Sequence, residues 1–429
     1  FNDTLLGDGN ANMIEGGAGD DIMSAGAGID TVSYAHAAAG VTVSLSITAA
    51  QNTGGAGTDT ISGFEYITGS AFNDTLTGNT GVNIIDGGAG DDVMNGSYGI
   101  DTVTYATAVS GVTVNLAVTA AQNTGGAGVD TLSAFENVIG SAFNDTLTGT
   151  GGANVMKGGA GADALNGGAG SDTADYSDSA LAVTIDLQNN TISGGDADGD
   201  TLASIENITG SDSGSQRDFI FGDANSNIFY GLAGSDVFEG GGGADTVDGG
   251  VGWDTMRYLR SASGVTVNLE TNVNTGGDAQ GDVLYGIENV QGSNYNDSLT
   301  GGAGNDSLSG GSGADTIFAG AGIDALIGGS GNDIFVLSNA SGIDTISDFS
   351  RVTGNNDIID IADLLSGYDP LTSAITDFVE ITTSGTASIL KIDADGGANG
   401  FIHIATLNGV TGLTDEAALV ASGNLMLAA

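Results

Sequence analysis

Cysteine is absent from this chain, and proline occurs once, at Pro370. Without thiols there is neither a disulfide to staple a fold nor a thiolate metal centre. Basic residues are scarce: 6 Lys and Arg stand against 54 Asp and Glu, for a net charge of −48. That charge repels nucleic acid and anionic membranes, so neither is expected as a partner. No apolar run reaches transmembrane length, so no membrane insertion is expected. No N-terminal secretory signal is present. The chain opens on FNDTLLG, the middle of a repeat seen again later, and further sequence is expected before Phe1. Catalytic side chains are also thin. The 2 histidines, His36 and His403, lie far apart, and neither HExxH nor GxSxG occurs, so this chain is read as a non-enzyme.

Glycine is what the chain has in excess, 76 of 429 residues, alongside 40% apolar residues. Flexible glycine-rich linkers are poor in apolar side chains, so these glycines punctuate an ordered repeat. Two periods are visible. The long one is 71 residues: segments 2–72 and 73–143 align without a gap, and further copies start near residues 144, 218 and 296. The short one is nine, as in GGAGDDIMS (16–24), GGAGDDVMN (87–95) and GGSGADTIF (310–318). It reads G-G-x-G-x-D-x-U-x, with U a large apolar residue. Glycines at positions one, two and four permit positive φ and close approach of carbonyls. Position eight points inward from a short strand.

The carboxylates sit in register at position six: Asp21, Asp30, Asp92, Asp101, Asp163, Asp172, Asp236, Asp245, Asp254, Asp306, Asp315, Asp324 and Asp333. Asparagine replaces them at Asn12, Asn83, Asn154 and Asn227, where an amide oxygen is a weaker ligand. This pattern resembles the RTX (hemolysin-type) calcium-binding repeat family. The resemblance implies an all-β fold, a parallel β-roll or β-solenoid with two nonapeptides per coil. It implies multiple calcium ions between stacked turns, held by these aspartates and by main-chain carbonyls. The glycine positions concerned are Gly17, Gly19, Gly88, Gly90, Gly159, Gly161, Gly241, Gly243, Gly302, Gly304, Gly311 and Gly313. All-oxygen coordination is what calcium prefers.

Longer inserts separate the nonapeptide blocks. Each carries a tyrosine (Tyr34, Tyr105, Tyr176, Tyr258), then an alternating strand such as GVTVNL (111–116), then a turn and a segment such as FENVIGS (135–141). They are expected to form wider coils that continue the same sheets. Asp59, Asp130, Asp200 and Asp282 are read either as further ion ligands or as turn-forming and solvated residues. The segment WDTMRYLR (253–260) is expected to hold a cation–π pair.

After Val336 the nonapeptides stop. Asp348-Phe349, Asp360-x-x-Asp363-Leu364-Leu365 and the apolar C-terminus resemble the C-terminal target domain of type I secretion substrates. The expected organisation is a calcium-binding roll over 1–343 and a β-rich cap and secretion target domain over 344–429, met transiently by the export machinery. The expected protein is secreted, extracellular or on the cell surface, with a structural or adhesive role. The alternative is the secretion module of a larger exoenzyme or toxin. Outward Ser, Thr, Asn and Ala leave open a homo-oligomer, lattice or filament.

Overall fold

The nine-residue period converts directly into backbone. The computed structural model describes residues 1–397 and 400–428, and in it each nonapeptide is a turn followed by a short strand, such as Ile22–Ser24, Thr31–Ser33 or Val93–Asn95. Neighbouring strands run parallel and pair eighteen residues apart, Thr4 with Ile22 and Ile84 with Thr102. Two nonapeptides therefore make one coil, which is the expected parallel β-roll. The middle residue of each strand is position eight. Met23, Val32, Ile85, Met94 and Val103 are at most 1% exposed, so coil stacks on coil through a thin apolar column. Each such burial contributes about 1.5–3 kcal/mol.

The turns explain the glycines. Gly88 and Gly90 hold φ of 83° and 148°, in the region where a Cβ is penalised. Ser97 occupies the position of Gly88 in the next nonapeptide and carries a φ of 82° without that freedom.

The chain divides into two compact units, Phe1–Asp212 and Ser213–Ala429. In the first unit one face is an unbroken parallel sheet from Met13–Ile14 through Thr31–Ser33, Tyr66–Thr68 and Ile84–Asp86 to Asn207–Thr209. The other face is divided at each insert. Thr58–Ser62 closes one stack, and Gln51–Asn52 lies antiparallel along its edge. Thr42–Ser44 opens the next stack by pairing with Thr75–Thr77. The sequence predicts continuation of both sheets. At the first two inserts one sheet breaks where an antiparallel strand takes its edge and offers no parallel register to the next coil.

The second unit repeats this scheme. Its ladder outlasts the nonapeptides: Thr345 pairs with Ala325, and Ile358 with Ile334. Ile402–Leu407 then adds in parallel to Asp344–Ile346, and Ala387–Ile392 and Val379–Ser384 follow antiparallel. Leu425 pairs with Ile359 on the other stack. The one α-helix among the described residues, Glu416–Ser422, is N-capped by Asp415 and ends at Gly423 with φ 77°.

Candidate metal centre

Position six sits where a turn becomes a strand, so its carboxylate folds back over its own turn. One oxygen has a fixed task. The backbone N–H of the matching residue one coil earlier donates to Oδ1: Asp74 N to Asp92 at 2.8 Å, Asn83 N to Asp101 at 2.8 Å, Asp297 N to Asp315 at 2.8 Å. The other oxygen, Oδ2, is different. In twelve of the thirteen predicted aspartates it is buried and has no hydrogen-bond partner. Those twelve side chains are at most 1% exposed.

A buried anionic oxygen with no donor is among the costliest groups a fold can hold. Burial therefore pushes the protonation of ten of these carboxyls upward, to about 7 for Asp92, Asp163, Asp236 and Asp315 and about 8 for Asp245. Asp101 and Asp254 rise to about 6, and Asp172, Asp324 and Asp333 move in the same direction. Neighbouring carboxylates add to the effect: Asp130 and Asp74 face Asp92.

The rest of the cradle is main chain. A Cβ on Gly88 would collide with the carbonyl oxygen of Ser70, and one on Gly128 with that of Gly90. Gly19, Gly90, Gly161, Gly243 and Gly313 likewise face the backbone of the turn one coil earlier. Gly241 and Gly311 do the same against Asp223 and Ser293, and Gly159 against Ser141; Gly17 faces open space. Among the described residues no three His, Cys, Asp or Glu side chains converge on one point. A cation held here would take its remaining oxygens from turn carbonyls. That donor set, all oxygen and no sulfur or imidazole, fits calcium and does not fit zinc.

Asp306 departs from its twelve fellows. Its Oδ2 accepts the N–H of Gly302 at 2.6 Å. Gly302 and Gly304 lack the positive φ of Gly311 and Gly313, and nothing lies within 4 Å of a Cβ on Gly304. The reason is position. GGAGNDSLS is the first nonapeptide of its copy, where earlier copies carry asparagine. Asn12, Asn83, Asn154 and Asn227 close their turns in the same way, on the N–H groups of Asp8, Asn79, Thr150 and Asp223 at 2.6–3.1 Å.

The insert aspartates are also satisfied. Asp130 accepts the N–H of Asp92 at 3.0 Å, the hydroxyl of Tyr105 at 3.1 Å and that of Thr124 at 2.9 Å. Asp59 repeats the arrangement with Asp21, Tyr34 and Thr53. Asp200 and Asp282 hold Tyr176 and Tyr258, each at 3.0 Å. The solvated reading of these residues is corrected: Asp59, Asp130, Asp200 and Asp282 are at most 6% exposed. The glutamates Glu65, Glu136, Glu206 and Glu288 cap the N–H groups of Asp30, Asp101, Asp172 and Asp254 at 2.8–3.0 Å. Reading from sequence missed two things. GGAGTDTIS (54–62) and GGAGVDTLS (125–133) obey the nonapeptide pattern in full, although they lie inside the inserts. Asp74, Asp145 and Asp297 anchor the insert strands by accepting from the N–H of Val41, Val112 and Val265 at 2.6–2.7 Å; the GSxxxD spacing is their signal.

The remaining candidates stand apart. His36 pairs with Glu15 at 2.9 Å, and His403 contacts the Ala405 carbonyl at 3.0 Å. Arg260 does form a cation–π contact, over Phe221 at 5.0 Å to the centroid rather than over Trp253.

The family model for the RTX calcium-binding nonapeptide repeat (4 copies) matches residues 1–32, 68–103, 139–174, 212–238, 221–256, 282–317 and 309–346. No curated protein matches the chain. Among solved structures, the extracellular lipase LipA of Serratia marcescens aligns at 15% identity and a TM-score of 0.19, covering 83% of this chain and 40% of the lipase. The AlgE6R3 subunit of the Azotobacter vinelandii mannuronan C5-epimerase aligns at 27% identity and a TM-score of 0.13, covering 32% of this chain and 80% of that subunit. With the repeat matched block after block and its glycine turns and carboxylates in register, this chain belongs to the RTX calcium-binding nonapeptide repeat family.

Proposed function

We propose that this chain is an extracellular repeat protein that folds on calcium after type I secretion and serves as a structural or adhesive component of a surface or matrix. One observation supports the calcium reading above all others: twelve buried Oδ2 atoms, in register, with no donor. Asp21, Asp30, Asp92, Asp101, Asp163, Asp172, Asp236, Asp245, Asp254, Asp315, Asp324 and Asp333 would hold the ions. Calcium would supply the positive charge that these oxygens lack. The chain's own residues do the rest: Oδ1 locks each carboxylate to the coil before it, and the glycines bring carbonyls within reach. The structural or adhesive reading draws on the near-identical 71-residue copies 2–72 and 73–143 and the looser copies that follow, which multiply one scaffold. Residues 344–429 are assigned the roles of cap and secretion target domain. Asp348, part of that segment, accepts from the N–H groups of Gly328 and Gly329 at 3.0 and 2.6 Å and so ties the segment to the last nonapeptide turn.

The test is a calcium titration followed by circular dichroism, with bound calcium counted by equilibrium dialysis. Coil in EDTA and β-structure in millimolar calcium are expected, because binding free energy acts as folding free energy. Identical spectra across the titration would overturn the proposal.

A further inference from the structure

The turn Gly125–Asp130 has the full G-G-x-G-x-D sequence of a calcium turn, yet its carboxylate is complete without an ion. Asp92 and Asp130 differ in one atom's surroundings. In both, Oδ1 accepts the N–H of the preceding aspartate, at 2.8 and 3.0 Å. Oδ2 of Asp92 is orphaned, whereas Oδ2 of Asp130 receives two hydroxyls, from Tyr105 and Thr124. Tyr105 is 3% exposed, and Asp130 and Thr124 are 0% exposed. The equivalent tyrosine does the same in the other inserts.

We infer that this buried tyrosine is a positioning residue that, in each of the four copies carrying an insert, closes the final turn of one carboxylate ladder with a hydrogen bond in place of a cation. The inference rests on the calcium reading above. A phenol hydroxyl is a neutral donor: it satisfies a buried carboxylate oxygen without importing an ion. Each copy's cation-requiring turns are then bounded on both sides. Asn83 closes the turn before Asp101 on the N–H of Asn79 at 2.7 Å. Asp74, satisfied by Ser70 at 2.5 and 2.8 Å, precedes Asp92. Tyr105 and Asp130 follow it. Calcium-dependent stretches are thereby kept short and separate in the copies that carry an insert.

The experiment uses the full chain, with the calcium midpoint read by circular dichroism. Tyr105→Phe combined with Thr124→Val keeps the side-chain volumes and strips both donors from Asp130. The midpoint should rise by about threefold or more, since folding now has to accommodate one further uncompensated carboxylate. Adding Asp130→Asn removes the charge and should return the midpoint to that of the parent chain. Tyr105→Phe alone should shift it in the same direction by less. An unchanged midpoint in the double variant overturns the inference. So does a shift, or a failure to fold, that Asp130→Asn does not repair, because lost packing is not cured by neutralising a carboxylate. A parent chain indifferent to calcium would instead sink the calcium reading itself, a result distinguishable from a responsive parent with an unresponsive variant.

Discussion

At the scale of single residues, the proposed sites would have protons and calcium compete for the same oxygens. In the ion-free chain, burial raises Asp92 from 3.8 to about 7 and Asp245 from 3.8 to about 8. The folded state then binds protons more tightly than the unfolded one. The stability this confers is full below the unfolded value of 3.8 and is lost as pH climbs through 7 to 8. Circular dichroism in EDTA should therefore show more β-structure near about pH 5 than near about pH 8. In calcium the order reverses, because the carboxylates must ionise to bind. Loss of structure on acidification in EDTA would contradict the burial argument. Two aspartates separate the classes of turn. Asp92→Ala should lower bound calcium by about one or two ions, because coils touch mainly their neighbours. Asp306→Asn should leave the count unchanged, since Gly302 already completes that carboxylate. Ser97→Gly relieves a φ of 82° and should raise stability in calcium by about 1 kcal/mol, measured by urea unfolding.

At the scale of elements, a strand of three residues turns one side chain, its middle one, into the apolar column, so each inward residue matters. Met94 is 1% exposed, and Met94→Ala should cost about 2–5 kcal/mol in calcium. Denaturant unfolding of the calcium-loaded variant would show a loss well below that if neighbouring coils collapse into the gap. The strands, the coil of two nonapeptides and the in-register aspartates were legible in the sequence because they follow strict nine-residue spacing. Asp306 shows the limit of that spacing. GGAGNDSLS satisfies the pattern, and only the 71-residue alignment with GNTGVNIID places it among the closed turns. The pairing of Tyr105 with Asp130 was not legible. It spans 25 residues of chain and depends on how the insert folds back, which no local period encodes. The broken face had the same cause: GVTVNL reads as a strand, but which stack it joins is set by the antiparallel strand on the neighbouring edge.

For the whole molecule, like-charge repulsion is the force that folding must overcome. One divalent ion for each orphaned oxygen would cancel half of the −48. Without that neutralisation the chain should expand, toward a radius of gyration of roughly 75 Å for an unfolded chain of this length. Small-angle scattering should show contraction on adding calcium and further expansion in EDTA as salt is withdrawn. A radius indifferent to calcium would contradict this account. Neutralisation also lets the Ser- and Thr-rich sheet faces approach one another, so calcium-dependent self-association is expected in sedimentation; a single monomeric species in concentrated, calcium-loaded samples would exclude it.

The carboxylate ladder has a direction. Every rung runs from the N–H of an earlier coil to the carboxylate of a later one: Asp74 to Asp92, Asp92 to Asp130, Asp315 to Asp333, Asp333 to Asp357. A coil is thus completed by the coil that follows it in the chain, and the C-terminal end is where a finished template first exists. Within each unit, folding should therefore propagate backward along the chain, from its last coils toward its first. Under the secretion proposed above, a polypeptide released with its C-terminus foremost would meet that template at once, and each coil formed outside would keep the next stretch from sliding back.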